Sequence, residues 1–299
     1  MAGTIYNQIS SNKTKTWIIM VLFVLFFFTV SYVLGVAFGY GRSWAIVMLF
    51  ISAAFSFISY YNSDKIVLSI NGAKPADKEH YRALYTAVEN LSIATGLPMP
   101  KVYVVEDPSP NAFATGRDPK HAAVAATTGL LERLKPAELE GVIAHEMSHV
   151  KNYDTRLMGV VAILVGSIAM LANIFMRSMW FRDDEDRNSN QIFMILGIVA
   201  AILAPLIATL IQLAVSRRRE YLADANGALI TRYPDGLADA LEKIADYPRP
   251  LKHANTGTAH LYIENPYKAD TGKTKGNWLV NLFSTHPPIE ERIKILRDM

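Results

Sequence analysis

Residues 145–149 read His-Glu-Met-Ser-His, a spacing that suits metal-assisted hydrolysis. In a helix, residues four positions apart lie on one face, so His145 and His149 can reach a single metal ion. Glu146 lies one position further round, where its carboxylate can take a proton from water at the metal. The chain contains no cysteine, so any metal must be held by histidine, aspartate or glutamate.

A catalytic zinc site uses three protein ligands and leaves a fourth position open. Glu220 is the candidate for the third ligand, in the sequence Arg-Glu-Tyr-Leu-Ala-Asp over 219–224. Glu220 and Asp224 again share one helix face. One carboxylate can bind the metal while the other accepts a hydrogen bond from a ligating histidine and fixes its imidazole. Without the histidine motif, the same acids would be interpreted as surface partners of the preceding arginines.

The histidine motif is expected on a helix that begins near Pro136 and ends near Tyr153, because proline and acidic residues favour a first helical turn. Hydrophobic periodicity predicts further helices and three short strands around it. The predicted strands are 65–70, 99–106 and 121–127, and the other predicted helices are 76–94, 216–230, 235–246 and 289–299. Residues 107–119 are expected to form a loop or an irregular edge, and 248–285 show no regular pattern. The soluble part is therefore predicted to be mainly α-helical with a small β-sheet.

Charge is distributed unevenly along the 299 residues, of which 51% are hydrophobic and 19% charged. Four stretches of 26, 21, 20 and 29 residues carry no Asp, Glu, Lys, Arg or His: 16–41, 43–63, 157–176 and 188–216. About 20 apolar residues span a bilayer as a helix. Four transmembrane helices are therefore predicted, at about 17–40, 44–61, 157–176 and 192–215. Spans without charge argue against an ion pump, and a net charge of +3 gives no reason to expect nucleic-acid binding.

Basic residues near the ends of spans favour the cytoplasmic side. With four crossings, one side receives most of them: Lys13, Lys15, Lys65, Lys151, Arg156, Arg217, Arg218 and Arg219. The other side receives Arg42 and the loop 177–187, in which three arginines face four acidic residues. Both termini and the candidate site are therefore expected in the cytoplasm. The alternative for 157–176 is a buried core helix, since Gly159 and Gly166 dilute its apolar character.

The predicted spans divide the chain into four parts. These are an N-terminal region with the first transmembrane hairpin (1–63), the first part of the catalytic domain (64–156), a second hairpin (157–216) and the second part of the catalytic domain (217–299). A hairpin returns the chain to where it left. His149 and Glu220 are therefore expected side by side, at the membrane surface.

These motifs together resemble the HtpX family, the heat-shock-linked integral-membrane zinc endopeptidases of bacteria, which are related to the CaaX prenyl proteases. The resemblance covers essentially the whole chain and is carried by HEMSH at 145–149, SRRREYLAD at 216–224 and STHPP at 284–288. It implies a zincin-like α+β catalytic domain with one zinc ion per chain. The implied roles are zinc ligand for His145, His149 and Glu220, general base for Glu146, and orientation of the ligand His145 for Asp224.

The tripeptide Asn111-Ala112-Phe113 resembles the edge-strand motif of these peptidases, in which the backbone and the asparagine side chain pair with an extended substrate. An ordinary turn after Ser-Pro is the alternative for the same residues. His286 belongs to the signature His-Pro-Pro, and the resemblance allows it a role in stabilising the oxyanion. Proline in the first turn of the final helix explains the signature without a catalytic role.

The sequence thus predicts a zinc-dependent endopeptidase of the bacterial cytoplasmic membrane. The family implies misfolded or damaged membrane proteins as substrates, a place in stress response and protein quality control, and an ATP-dependent membrane protease as a partner. Two alternatives stay open: prenyl-protein processing, which four spans fit less well, and a non-enzymatic membrane scaffold with structural zinc. Glu146 beside the first ligand and an open fourth position disfavour the scaffold.

Overall fold

The computed structural model describes residues 5–37, 41–180, 216–247, 249–252, 257–266 and 287–299. Two long apolar helices, α1 (Ile5–Ala37) and α2 (Gly41–Tyr61), pack against each other, and α3 (Ser63–Ile70) follows α2 across a bend of 81°. The strand predicted for 65–70 is wrong. Val67 and Leu68 are buried on one face of α3, and this packing overrides the β-propensity of the local sequence.

A four-stranded mixed sheet lies at the centre of the soluble part. Its strands are β1 (Lys74–Pro75), β2 (Lys101–Val105), β3 (Ala112–Gly116) and β4 (Ala122–Thr127), in the spatial order β1-β2-β4-β3. Strands β2 and β4 are parallel, while β3 runs antiparallel to β4 and forms an edge of the sheet. Residues 112–116 were expected only as a loop or an irregular edge, and they form this regular strand.

Seven further helices surround the sheet among the described residues. They are α4 (Arg82–Thr95), α5 (Thr128–Arg133), α6 (Pro136–Lys151), α7 (Asp154–Trp180), α8 (Arg217–Thr231), α9 (Pro234–Ala245) and α10 (Ile289–Arg297). The prediction of a mainly α-helical fold with a small sheet is confirmed for these residues. Short 3₁₀ turns at Pro119–His121 and Ala259–Leu261 complete the description.

Helix α6 carries the histidine motif through the middle of the main core. Pro136 stands in its first turn, and the carboxylate of Glu138 accepts a 2.8 Å hydrogen bond from the Lys135 backbone N–H. Nearly every residue from Glu138 to Val150 is buried, between the sheet, α4, α8 and α9. The helix ends in a tight turn in which Tyr153 takes a positive φ of 59°, and α7 begins immediately afterwards. The motif is therefore enclosed within the main core.

A second apolar cluster joins α1 to α7. Ile19, Met20 and Phe23 on α1 pack against Leu157, Val160, Val161 and Leu164 on α7. The first turns of α7 are buried inside the protein. The N-terminal helix is therefore packed directly onto the helix that follows the histidine motif.

Among the described helices, one segment is by itself long and apolar enough to cross a membrane, Ile9–Thr29 in α1. The pair Ile46–Tyr61 and Ser63–Ile70 passes the same criterion only when the two bent halves are taken together. The predicted span 192–215 lies outside the described residues. The described residues thus support an apolar N-terminal helix of membrane length, and the full count of four spans stays a prediction.

Candidate active site

Three metal-binding side chains converge between α6 and α8. His145, His149 and Glu220 are all buried, and their ligand atoms lie within 4.8 Å of one another. The two Nε2 atoms are 3.2 Å apart, and the Glu220 oxygens lie 3.7 Å from Nε2 of His145 and 3.6 Å from Nε2 of His149. Helix α8 packs closely on α6 at Gly227, where a Cβ would make a tight contact of 3.2 Å with the His145 backbone nitrogen.

This arrangement fits a zinc ion on two counts. Zinc bound tetrahedrally at about 2.0–2.1 Å separates neighbouring ligand atoms by about 3.3–3.4 Å, close to the spacing of the three side chains here. The Nδ1 atoms of His145 and His149 lie 2.8 and 3.0 Å from a carboxylate, while both Nε2 atoms lie on the side of Glu220. The 3.2 Å between the two Nε2 atoms is close to the separation of two ligands of one zinc ion.

His145 is supported by two charged residues from the C-terminal half of the chain. Nδ1 of His145 lies 2.8 Å from Oδ1 of Asp224, although the oxygen stands off the line of the ring N–H. Arg292 on α10 is fully buried and donates to both oxygens of Asp224, from Nε at 2.8 Å and from Nη2 at 2.7 Å. Burial lowers the pKa of His145, and the negative charge of Asp224 offsets only part of this effect.

His149 is supported by a residue that the sequence analysis did not select, Asp154. Oδ2 of Asp154 lies 3.0 Å from Nδ1 of His149 in a buried hydrogen bond. Burial alone would lower the pKa of His149, but Asp154 and Glu220 outweigh it and raise the pKa to about 9. Carboxylate partners of this kind fix the tautomer of a metal-binding imidazole.

Glu146 lies beside the cluster and is itself buried. Burial raises its pKa to about 7, helped by the charge of Glu220, while His149 and a hydrogen bond from the Ala114 backbone oppose the shift. A carboxylate with a pKa near 7 can both accept and return a proton at neutral pH. The geometry thus provides a poised acid–base group next to the three ligand atoms.

The tripeptide at 111–113 occupies the start of edge strand β3, but its outer edge is already paired. The Ile263 N–H donates to the Ala112 carbonyl at 3.0 Å, and Nδ2 of Asn111 donates to the Glu264 carbonyl at 2.9 Å. Arg292 holds the same segment through a 2.9 Å bond from Nη1 to the Ile263 carbonyl. Residues 262–264, here called the inner segment, therefore bond to β3 as an extended peptide would.

The remaining predicted site residue, His286, lies outside the described residues. Sequence reasoning missed Asp154 and Arg292, which complete the surroundings of the histidines. Asp154 follows His149 by five residues, and its position directly after a helix end was a signal that could have identified it. Nothing in the pattern of the final helix distinguishes the buried Arg292 from an ordinary surface arginine.

Comparisons with known proteins show the family of this chain. The model of peptidase family M48 matches residues 79–299. A protease HtpX homolog of Dictyoglomus thermophilum is 50% identical over 299 residues, which cover 99% of this chain and 95% of that protein. Another, from Caldanaerobacter subterraneus subsp. tengcongensis, is 47% identical over 302 residues, covering 99% and 98%.

Among solved structures, Ste24p from S. mikatae aligns with a TM-score of 0.48 and 16% identity over 95% of this chain and 67% of that one. That likeness is too weak to bear on activity. The resemblance to HtpX proteases expected from the motifs is confirmed by the full-length matches. The chain therefore belongs to peptidase family M48 and is a membrane metalloprotease.

Proposed function

We propose that the protein binds one zinc ion through His145, His149 and Glu220 and hydrolyses peptide bonds with Glu146 as general base. The observation that carries the proposal is the convergence of three buried ligand atoms within 4.8 Å of one another beside a fourth buried carboxylate. When bound, zinc supplies a Lewis acid that polarises the scissile carbonyl and acidifies water. Asp224 and Asp154 orient the two histidines.

Glu146 moves the proton in this mechanism. Its carboxylate takes a proton from the attacking water and delivers it to the nitrogen of the leaving amine. The buried surroundings that raise its pKa to about 7 make both transfers feasible at neutral pH. The Ala114 backbone hydrogen bond keeps the carboxylate at the edge of β3, so the base and the proposed substrate strand stay in register.

Substrates are proposed to bind as an extended strand along β3, in the place of the inner segment. The carbonyl of Ala112, the amide of Asn111 and the guanidinium of Arg292 would then bond to the substrate backbone, as they now bond to Ile263 and Glu264. Backbone pairing of this kind selects unfolded chains over folded ones. The inner segment is therefore an internal competitor that a substrate must displace.

The proposed substrates are misfolded or damaged membrane proteins, cleaved at the cytoplasmic surface of the bacterial inner membrane, with an ATP-dependent membrane protease as a partner. Packing of α1 against α7 supports a site close to the bilayer. Four spans with both termini in the cytoplasm complete this proposal. A reporter fused after Met299 should be cytoplasmic, and a reporter exposed outside the cell would contradict the topology.

The experiment uses full-length protein purified in detergent, loaded with zinc and incubated with casein. Wild-type protein should contain about one zinc per chain and cleave casein. Glu146→Gln should keep the metal and lose nearly all cleavage, because the general base is gone. Glu140→Gln, on the same helix and only partly buried, is the matched control and should cleave normally. Cleavage by Glu146→Gln at the wild-type rate would reject the mechanism.

The same assay separates the two alternatives. A scaffold with structural zinc would bind metal without cleaving casein in any variant. A prenyl-protein processing enzyme would cleave a farnesylated peptide and leave casein intact, whereas the proposed endopeptidase cleaves casein.

A further inference from the structure

Helix α1, which the sequence predicted to be an anchor ahead of the catalytic domain, reaches the candidate metal site through one side chain. Asn12 is buried, with 3% of its surface exposed, although it carries a polar amide. Its Nδ2 atom donates to Oδ1 of Asp154 at 2.7 Å and to the carbonyl of Asn152 at 3.0 Å. The two partners lie where α6 passes into α7, 140 and 142 residues further along the chain.

The two oxygens of Asp154 have different partners. Oδ2 contacts Nδ1 of His149 at 3.0 Å, and Oδ1 accepts the 2.7 Å hydrogen bond from Asn12. Nη1 of Arg219 lies 3.5 Å from Oδ1 of Asp154 and 3.5 Å from Oδ1 of Asn12, so it contacts both residues. A carboxylate held at one oxygen cannot rotate freely at the other. Asn12 therefore restricts the orientation in which Asp154 meets the histidine.

The turn that carries Asp154 depends on the same part of α1. Tyr153 adopts a φ of 59°, which is uncommon for a residue other than glycine. The Lys13 ammonium lies 4.3 Å from the centre of the Tyr153 ring, and Asn12 bonds to the preceding carbonyl of Asn152. Adjacent residues of α1 thus hold three consecutive residues of the turn.

Simple packing is a poor explanation for the buried amide. Burying an amide costs free energy unless its hydrogen bonds are satisfied, and an apolar side chain would fill the same space at lower cost. The residues two and three turns later on this face of α1, Ile19 and Phe23, are apolar and do pack in this way. The buried amide occurs where the helix meets Asp154.

We propose that Asn12 is a positioning residue of the metal centre, which holds Asp154 so that Asp154 fixes the imidazole of His149. The inference rests on the proposed function, because it requires that His149 binds the metal. It gives α1 a second role besides membrane anchoring. The affinity of the site for zinc then depends on the docking of the N-terminal helix against the turn 152–154.

The test measures zinc affinity of the full-length protein in detergent by competition with a chelator of known affinity. Asn12→Leu should weaken zinc binding about tenfold, the lower end of the loss seen when a hydrogen-bond partner of a ligating histidine is removed. Thr16→Val is the matched control. Thr16 is buried one turn later on the same helix, and within the described part of the chain its hydroxyl bonds only to the Asn12 backbone carbonyl, so zinc affinity should not change.

A double-mutant cycle distinguishes positioning from a general loss of structure. In an Asp154→Asn background, Asn12→Leu should have little further effect on zinc affinity, because its route to His149 is already broken. If leucine does not fold at this position, Asn12→Ser removes the amide without adding apolar bulk and is measured in the same cycle.

Unchanged zinc affinity in both Asn12 variants would overturn the inference, as would a full tenfold loss that persists in the Asp154→Asn background. Failure of the proposed function itself has a different signature, since wild-type protein would then bind no zinc at this site or would bind zinc without cleaving casein.

Discussion

The two histidines of one helix are held in different ways. His145 faces Asp224, whose negative charge is balanced by the buried guanidinium of Arg292. His149 faces Asp154, which is bonded to the neutral amide of Asn12 and lies near Arg219. The electrostatic results are opposite, because burial lowers the pKa of His145 whereas the carboxylates around His149 raise its pKa to about 9.

This difference follows from where the carboxylate partners of the two histidines lie in the chain. Asp224 and Arg292 come from the C-terminal half of the catalytic domain, where a charge pair can be fully enclosed by protein. Asp154 stands where the catalytic domain continues into α7, and its partner Asn12 comes from the apolar N-terminal helix. One histidine is therefore supported by residues from the C-terminal part of the chain, and the other by the contact of the turn 152–154 with the apolar N-terminal helix.

The strongest destabilisation is expected from removing Arg292, the partner of Asp224 beside His145. Arg292→Met removes the partner of a buried carboxylate and should lower the free energy of unfolding by about 3–5 kcal/mol. The measurement is thermal unfolding in detergent. Arg297→Met is the matched control, because Arg297 lies on the same helix as Arg292 but is exposed. Its partners are three acids on α9: Asp235, Asp239 and Glu242. Such exposed pairs contribute about 0–1 kcal/mol, so equal losses in the two variants would contradict this account of Arg292.

The next effect compares the two carboxylates directly. Asp224→Asn and Asp154→Asn should each weaken zinc binding about 10- to 100-fold, because each removes the charged partner of a ligating histidine. Competition with a chelator measures both variants under the same conditions. Zinc affinity that falls only in the Asp224 variant would show that zinc binding does not need the contact of Asp154 with His149.

A smaller change in KM is expected from the inner segment. Arg292, which bonds to Asp224 beside His145, also bonds to this segment at the Ile263 carbonyl. The Tyr262 hydroxyl donates to Oδ1 of Asn71 at 3.0 Å, and Tyr262→Phe removes that bond. Because one hydrogen bond is worth about 0.5–1.5 kcal/mol, the KM for casein should fall about two- to tenfold while zinc affinity stays constant. A KM that rises would mean that the segment supports substrate binding instead of competing with it.

The part of the site that rests on local spacing could be predicted from the sequence. Residues four apart on a helix share a face whatever the rest of the fold does, so His145 with His149 and Glu220 with Asp224 were recognisable. The charge-free stretch after Arg156 also indicated that the two helices would meet, because a hairpin returns the chain to its start.

The part that rests on distant contacts could not be predicted. Asn12 and Asp154 are separated by 142 residues, and Arg292 and Asp224 by 68, so no local pattern links either pair. The segment at 65–70 was predicted as a strand from its Ile and Val content, and burial of Val67 and Leu68 makes it a helix instead. The inner segment lacks periodicity, because its backbone bonds to β3 whatever its side chains.

Zinc-edge X-ray absorption on the loaded full-length protein tests whether one zinc ion is held by two histidines and a glutamate. We expect two imidazole nitrogens at about 2.0–2.1 Å from the zinc and no sulfur. Glu220→Ala should lose most of its zinc under the same conditions. A spectrum with fewer than two imidazoles, or full zinc occupancy in Glu220→Ala, would show that this ligand set is wrong.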